Sequence, residues 1–450
     1  MGNYELVVKN GLVVGPSGVS AQDVGISEGR IAAIGEGLSG AAAIDAGGCY
    51  VLPGMIDAHV HFNEPNFGHW EGFATGSASL AAGGITTYID MPLNGNPPTV
   101  TPDAFAAKAA LAEGASAVDY AFWGGLMPGF LDSLEPLHAL GVVGFKAFMS
   151  NPGGEGEGRF READDATLYE GMQRIASFGG LLALHAESDA MTSTLASAAA
   201  AAGRTSARDF AAARPIAAET EAVARALLYA ERTGCRLHFV HISSADAVAL
   251  IDAAKRRGLD VSVETCPHYL ALTEDDMDRL GPVAKCAPPL RSAAEQAKLW
   301  ASLASGRIDL VASDHSPCPT ALKDGPFFAA WGGISGAQSS LELLFDEAVL
   351  RRGLPATLIA ELTAAGPARR FGLSSRKGRI APGLDADFVL LDPARSYTLQ
   401  AEQLQYRHRH SPYIGRTFGC KVKATYVRGI AVYTEEEGVV VPGGGRFVRP

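Results

Sequence analysis

The sequence is poor in cysteine, in basic charge and in long apolar runs, and each shortage argues against a class of protein. Its six cysteines are scattered over 450 residues with no Cys-x-x-Cys pair, which argues against a disulfide framework and predicts reduced thiols in the cytoplasm. Acidic residues outnumber basic ones by 49 to 38, so we expect no nucleic-acid partner. The apolar tract 195–202 is too short to cross a bilayer and the first residues lack a signal-peptide pattern, so we expect no membrane partner.

Short alternating segments separated by turn residues occur at both ends of the chain. Alternation broken by Asn-Gly, Gly-Pro-Ser-Gly and Glu-Gly turns is typical of small antiparallel sheets. The pattern is found in residues 5–9, 11–14, 30–34, 386–391, 422–427 and 430–433. We therefore predict a small β-sandwich domain formed from both chain termini, residues 1–53 plus 380–450.

Between these ends, eight apolar runs alternate with helical patterns such as residues 104–111, 219–232 and 339–351. Alternating strands and helices indicate an α/β protein with parallel strands, and eight repeats predict a (β/α)₈ TIM-like barrel over residues 54–379. In such barrels the active-site residues follow the carboxyl ends of the strands. The predicted strands are residues 55–61, 85–91, 121–126, 142–148, 181–185, 237–241, 259–264 and 310–314.

Several of these strands end in, or carry near their ends, a side chain able to bind a metal. His59 and His61 are two residues apart, so on an extended strand their imidazoles face the same side. Imidazole and carboxylate groups are common ligands of divalent metals. The strand-end groups are His59, His61, Lys146, His185, His241 and Asp314.

Lys146 differs from the other members because an ammonium group would be repelled by metal ions. Burial beside cations favours the neutral amine. A neutral amine reacts with carbon dioxide to form a carbamate, whose two oxygens are able to bridge two metals.

The segment Asp57-Ala58-His59-Val60-His61, together with the barrel lysine and the later strand-end ligands, resembles the cyclic amidohydrolase branch of the amidohydrolase superfamily. The resemblance covers essentially the whole chain and implies a homotetramer or homodimer. It also implies two divalent ions bridged by hydroxide and by N6-carboxylated Lys146. Zinc is the first expectation, with cobalt, manganese, iron or nickel as alternatives. By this resemblance one ion is bound by His59, His61 and Asp314, and the other by His185 and His241.

The charges of such a site predict a mechanism. Two divalent ions lower the pKa of a bridging water towards neutrality and polarise an amide carbonyl. The hydroxide attacks the carbonyl, and Asp314 acts as general acid/base, taking a proton and passing it to the leaving nitrogen. The expected product of ring opening is a carboxylate with a linear amide or ureide.

Residues around the ligands distinguish members of this branch. Dihydroorotases have an arginine where this chain has Asn63, and hydantoinases and dihydropyrimidinases have a tyrosine where it has Asn151. Several segments instead resemble allantoinases, so the expected substrate is a cyclic ureide, allantoin, opened to allantoate. A hydantoinase, dihydropyrimidinase or dihydroorotase is the alternative within enzymes, and a metal-free dihydropyrimidinase-like scaffold is the non-enzyme alternative. The segments are residues 61–65, 70–73, 90–94, 285–291, 313–318 and 410–413.

Allantoin is an uncharged hydantoin ring that carries a ureido group, so amide side chains and backbone groups suit it. The Gly-rich segment 151–158 is expected to be a mobile loop that closes over the substrate. His408 and His410 follow no apolar strand, and we expect them at the surface or at an interface. His238 and His241 have an odd offset, so they are not expected to face the site together on one straight strand. The expected substrate contacts are Asn94, Asn63, Cys286, Ala287 and Gly332.

Overall fold

The computed structural model describes residues 3–154 and 158–450. Its middle part alternates parallel strands with helices, as predicted. Met55–Val60, Ile85–Asp90 and Asp119–Phe122 form one hydrogen-bonded run of parallel strands. A second parallel run follows in chain order, formed by Gly124–Gly125, Phe145–Phe148, Leu181–His185, Arg236–Phe239, Val261–Thr265 and Leu310–Val311.

The two runs are connected at both of their edges. Between Asp119–Phe122 and Gly124–Gly125 only Trp123 intervenes, and its backbone N–H donates to Asp90 O at 3.0 Å. At the other edge, Val60 forms a parallel bridge with His315. The first and last strands of the series are therefore neighbours, and the carboxyl ends of the parallel strands lie on one side of the fold.

Several helices begin or end with residues typical of helix caps. Thr101 and Ser244 accept N-terminal backbone N–H groups of their helices, and Gly234 ends a helix in the left-handed conformation. The predicted helix 339–351 is α-helical only at Ser340–Leu344 and continues as π-helix. The α-helices are Phe73–Ala82, Pro102–Ala112, Leu134–Leu140, Asp165–Ser177, Asp189–Ala201, Ala207–Ala212, Ile216–Thr233, Ala245–Arg256, Pro267–Ala271, Glu274–Leu280, Ala293–Ala304, Ser340–Leu344, Ala356–Ala360 and Gly366–Arg370, with π-helical turns at Phe345–Leu350 and Glu361–Ala365.

Both ends of the chain form β-sheets, and the two larger sheets share one apolar core. That core joins residues such as Val8 and Ile26 of the first sheet to Val51, Phe388 and Leu390 of the second. The first sheet has the order Arg30–Gly35, Asp23–Ser27, Asn3–Lys9 and Ser39–Asp45. The second has the order Gly438–Val439, Ile430–Thr434, Lys421–Val427, Phe388–Asp392, Tyr50–Pro53, Leu12–Gly15 and Gly18–Ala21, and Tyr397–Thr398 pairs with Thr417–Phe418.

Two of the predicted strands end earlier than expected. The strand predicted for 237–241 stops at Phe239, and the one predicted for 310–314 stops at Val311. His241 and Asp314 instead have positive φ angles of 41° and 47°, which non-glycine residues rarely adopt. The carboxylate of Glu264 accepts the His241 N–H, and Asp57 accepts the Ser313 N–H. Beyond the two strand ends, these side-chain carboxylates accept backbone N–H groups in place of the neighbouring strands, and the chain turns there.

The early end of this strand also sets the positions of His238 and His241, of which His241 lines the cavity at the strand ends and His238 does not. The odd offset would separate them only on a straight strand, and the chain leaves strand geometry after Phe239. His238 Nε2 lies 3.3 Å from Glu264 Oε2, and the His241 N–H donates to the other oxygen of the same carboxylate. Both histidines therefore lie around Glu264 inside the fold.

Over the residues that the structure describes, no helix is both long and apolar enough to cross a membrane.

Candidate active site and metal centre

His59, His61 and Asp314 converge at the carboxyl ends of the first and last parallel strands. Asp314 Oδ1 lies 3.2 Å from His59 Nε2 and 3.5 Å from His61 Nε2. One ligand atom from each residue lies within 4.8 Å of the other two. His61 is oriented by its Nδ1, which donates to Leu93 O at 3.0 Å. The three side chains therefore direct two imidazole nitrogens and a carboxylate oxygen at one point.

His185 and His241 form a second cluster beside the first. His185 Nδ1 lies 3.0 Å from His241 Nε2, and the rings of His59 and His241 are 5.4 Å apart. Burial lowers the pKa of His59 and His241 well below the usual value and also lowers that of His185. The imidazoles are therefore neutral near pH 7, which is the form that binds metals.

Lys146 lies in the strand Phe145–Phe148 and is completely buried. Its Nζ has no hydrogen-bond partner among residues 3–154 and 158–450, and it lies 4.9 Å from the centre of the Phe148 ring. Burial lowers the pKa of Lys146 to about 7, although the carboxylates of Asp314 and Glu264 act in the opposite direction. A buried amine without a partner, much of it neutral near pH 7, fits the chemistry of carbamate formation.

The donor set as a whole fits two divalent ions. Four imidazoles and one carboxylate are typical ligands of such ions. The lysine amine, which lacks a hydrogen-bond partner in the described part of the chain, is the position that a bridging carbamate would occupy.

Two buried glutamates hold these histidines, and neither was predicted from the sequence. Glu264 Oε1 accepts from His59 Nδ1 at 2.9 Å, and Glu187 Oε2 accepts from His185 Nε2 at 2.8 Å. Burial opposes the charge of Glu187, but Arg214 and His185 outweigh it and lower its pKa to about 2. Carboxylates in this position fix the tautomer of a ligating imidazole and make it more basic. Glu264 is the last residue of the strand predicted for 259–264, so its position at a strand end could have identified it from the sequence.

A cavity of about 440 Å³ opens onto both clusters. Five of the six candidate ligands line it, and Lys146 does not. Of the expected substrate contacts, Asn94, Cys286, Ala287 and Gly332 line the cavity. The lining does not include Asn63, which is buried; its Oδ1 accepts from Asn94 Nδ2 at 2.9 Å. Asn63 therefore orients Asn94. Of these two expected substrate contacts, Asn94 is the one that lines the cavity.

The segment 151–158 and the second His-x-His motif also have defined places. Asn151, Pro152, Gly153 and Gly154 line the cavity, while residues 155–157 of the expected loop lie outside the described part of the chain. His410 is buried and its Nε2 donates to Cys318 O at 2.8 Å. The expectation of a surface position was therefore wrong for His410, because the chain folds it against the segment that follows Asp314.

The parallel α/β architecture and the grouped imidazoles fit a hydrolase that uses divalent metal ions. The chain belongs to the amidohydrolase family, whose sequence profile matches residues 50–432. A protein named allantoinase from Rubrobacter xylanophilus is 50% identical, over 100% of this chain and 98% of its own length. Another allantoinase, from Solibacter usitatus, is 51% identical over 99% of this chain and 97% of its own.

Solved structures share the whole fold. An L-hydantoinase (dihydropyrimidinase) from Arthrobacter aurescens superposes with a TM-score of 0.95 at 36% identity, covering 99% of this chain and 100% of that one. A D-hydantoinase superposes with a TM-score of 0.91 at 32% identity, covering 99% of this chain and 98% of that one. The resemblance inferred from the sequence is confirmed at the level of the family.

Proposed function

We propose that the protein hydrolyses the cyclic amide of allantoin to give allantoate. The observation that carries this proposal is the identity of about half of all residues, over the full length, with proteins named allantoinase. The cavity supports it, because its lining combines candidate metal ligands with amide and backbone groups suited to an uncharged, polar ring.

The metal ligands in this proposal are the residues of the two clusters. His59, His61 and Asp314 would hold one ion, His185 and His241 the other, and carboxylated Lys146 would bridge them. Two bound divalent ions supply Lewis acidity at the substrate carbonyl and a lower pKa for water. The chain's own residues orient the substrate and move the proton, and water adds to the carbonyl carbon as the ring C–N bond breaks.

Asp314 is the proposed general acid/base. Its carboxylate lies at the cavity wall, where it is able to take the proton of the attacking water and deliver it to the leaving nitrogen. The left-handed backbone at Asp314 keeps this carboxylate beside both His59 and His61. Asn94, oriented by Asn63, presents its amide to the substrate ring.

The finer architecture is also part of the proposal. We infer that the parallel strands close into an eight-stranded barrel over residues 54–379, supported by the bridge between Val60 and His315. Residues 1–53 plus 380–450 would form the β-sandwich domain, supported by the core that the two terminal sheets share. Zinc as the metal, a homotetramer or homodimer as the assembly and the cytoplasm as the location are proposed on sequence grounds alone.

A hydrolysis panel with allantoin, hydantoin, dihydrouracil and dihydroorotate tests the substrate. We expect the highest kcat/KM with allantoin. The solved structural relatives make hydantoin the strongest competitor, and a higher kcat/KM with hydantoin or dihydrouracil would replace the proposed substrate.

The metal content of the purified protein tests the enzyme against a metal-free scaffold. We expect close to two divalent ions per chain, measured by elemental analysis. No bound metal, together with no hydrolysis after addition of metal and bicarbonate, would overturn the proposed activity.

A further inference from the structure

One part of the cavity wall contains two cations packed on a single aromatic ring. Phe210 belongs to the helix Ala207–Ala212 and lines the cavity together with Arg214 and Lys285. The Phe210 ring centre lies 5.4 Å from Arg214 Cζ and 4.8 Å from Lys285 Nζ. Cations at these distances are attracted to the face of the ring, which holds both of them beside the cavity.

Lys285 is buried without an acidic partner. Its Nζ donates to Phe328 O at 3.0 Å and to Ala330 O at 2.6 Å, and no carboxylate of residues 3–154 or 158–450 pairs with it. An ammonium group has three N–H donors, so one remains after these two bonds. Burial, with Lys323 and Arg214 nearby, lowers the pKa of Lys285 to about 8, so most of it is still charged at pH 7. Lys285 lines the cavity, so this charge lies in the cavity wall.

Arg214 connects the same wall to the metal site. Its Nη1 donates to Glu187, which accepts from the candidate ligand His185. Only one of the five guanidinium N–H donors is needed for that bond, about a fifth of the Arg214 side chain is exposed, and the residue lines the cavity. Both cations therefore line the cavity that also contains the candidate ligands, and their free N–H groups are available to an acceptor group attached to the substrate ring.

We propose that Lys285 and Arg214, packed on Phe210, bind the carbonyl oxygen of the exocyclic ureido group of the substrate. The inference rests on the proposed function, because that group distinguishes allantoin from unsubstituted hydantoin. A carbonyl oxygen accepts charge-assisted hydrogen bonds from both cations, and such bonds are stronger than those between neutral groups. The pair thereby determines specificity for the substituent, while the metal ligands act on the ring.

The test compares allantoin with unsubstituted hydantoin in Lys285→Met, which keeps the length of the side chain and removes the charge. We expect kcat/KM for allantoin to fall about 10- to 100-fold, mostly through KM, since a charged hydrogen bond is lost. For hydantoin we expect a change of less than about threefold. If hydantoin turnover is too slow to measure, the inhibition constant of hydantoin against allantoin hydrolysis is measured instead. We expect the same inhibition constant in wild type and in Lys285→Met. Arg214→Lys, which keeps a charge for Glu187, should also lower the ratio of allantoin to hydantoin.

Lys323→Met is the matched control. Lys323 is likewise a buried lysine of the same region, but its Nζ bonds three carbonyl oxygens, those of Pro282, Trp331 and Gly333, and it does not line the cavity. Its replacement should affect both substrates equally and leave their ratio unchanged. Equal losses for both substrates in Lys285→Met would show a purely structural lysine and overturn the proposal.

Further measurements distinguish a misfolded variant, a wrong proposed function and a wrong ureido subsite. Metal content and Tm show whether Lys285→Met still folds, and the shorter polar variant Lys285→Gln replaces it if it does not. Wild-type protein that fails to hydrolyse allantoin would overturn the proposed function itself. An active wild type with an unchanged substrate ratio in the folded Lys285 and Arg214 variants would overturn only the ureido subsite.

Discussion

At the scale of single residues, the histidines of the candidate centre depend on acids that never reach the substrate. Glu264 is fully buried and contacts three groups, namely His59 Nδ1, His238 Nε2 and the backbone N–H of His241. It therefore joins a ligand of the first cluster to the backbone of a ligand of the second. Such carboxylates set both the tautomer and the direction of an imidazole.

Replacement of Glu264 by glutamine should weaken metal binding by about 10- to 100-fold, because the amide accepts less strongly from His59. The measurement is a competition between the protein and a chelator. Glu219→Gln is the control, since Glu219 is equally buried and, among the described residues, its carboxylate accepts from Ser243 and Ser244 and not from a candidate ligand. Equal metal affinity in the two variants would contradict the role assigned to Glu264.

Lys146→Ala should lose both bound metal and hydrolysis, because the bridging group disappears. A short-chain carboxylate such as acetate or propionate should restore part of both, since it supplies two oxygens to the vacated space. Metal content and hydrolysis rate are measured with and without the acid. Lys423→Ala, at an exposed lysine, should behave as wild type, and a Lys146→Ala protein that no carboxylate rescues would argue against a carbamate.

At the scale of secondary-structure elements, buried acids also connect the middle of the chain to the terminal sheets. Glu342 lies in the helix Ser340–Leu344, and its Oε1 accepts the Val422 N–H at 2.7 Å. Its Oε2 accepts from the Tyr397 hydroxyl. Burial raises the pKa of Glu342 from 4.5 to about 7 despite these hydrogen bonds. Burial therefore favours the protonated carboxyl group in the folded protein, although both hydrogen bonds favour the carboxylate.

The raised pKa of Glu342 predicts that the stability of the folded protein decreases as the pH rises. The pKa of Glu342 is higher in the folded protein than in the unfolded chain, so the folded protein is most stable where the carboxyl group is protonated in both states, below about pH 4.5. This stability is lost as the pH rises to about 7, because ionisation costs more in the folded protein. Glu342→Gln has no carboxyl group to ionise and therefore does not lose this stability. The Tm of the variant minus the Tm of wild type should accordingly rise between pH 5 and pH 8. The corresponding free energy is at most about 3 kcal/mol. Glu402→Gln, at an exposed position, should show a constant difference, and a flat difference for Glu342→Gln would contradict the prediction.

At the scale of the whole molecule, a buried ionic cluster connects the central strands to the terminal sheets. Lys377 Nζ lies 2.5 Å from Asp119, 2.6 Å from Asp387 and 3.1 Å from Asp385. Asp119 begins a central strand, whereas the other two acids immediately precede the strand Phe388–Asp392. Arg428 of the second terminal sheet also pairs with Asp119. The three carboxylates are close enough for a metal, but the ammonium group of Lys377 lies among them.

Lys377→Met should lower the free energy of unfolding by about 3–5 kcal/mol, because it leaves buried carboxylates without their shared cation. The urea midpoint of unfolding measures this loss. Lys298→Met is the control, since Lys298 pairs with Glu295 but its side chain is 62% exposed, so a change of at most about 1 kcal/mol is expected. A midpoint for Lys377→Met that matches the control would show that the cluster does not stabilise the junction.

The sequence by itself determined the order of strands and helices and the side chains that follow the strand ends. Local periodicity carries this information, so His59 and His61 were identifiable from their spacing at the end of an apolar strand. Only the tertiary structure decided which groups meet. Glu264 reaches His59 across 205 residues and Lys285 meets Phe210 through separate segments, and no local pattern encodes such contacts. The left-handed turns at His241 and Asp314 depend on carboxylates from other strands, which is why strand periodicity placed the ends of those strands too late.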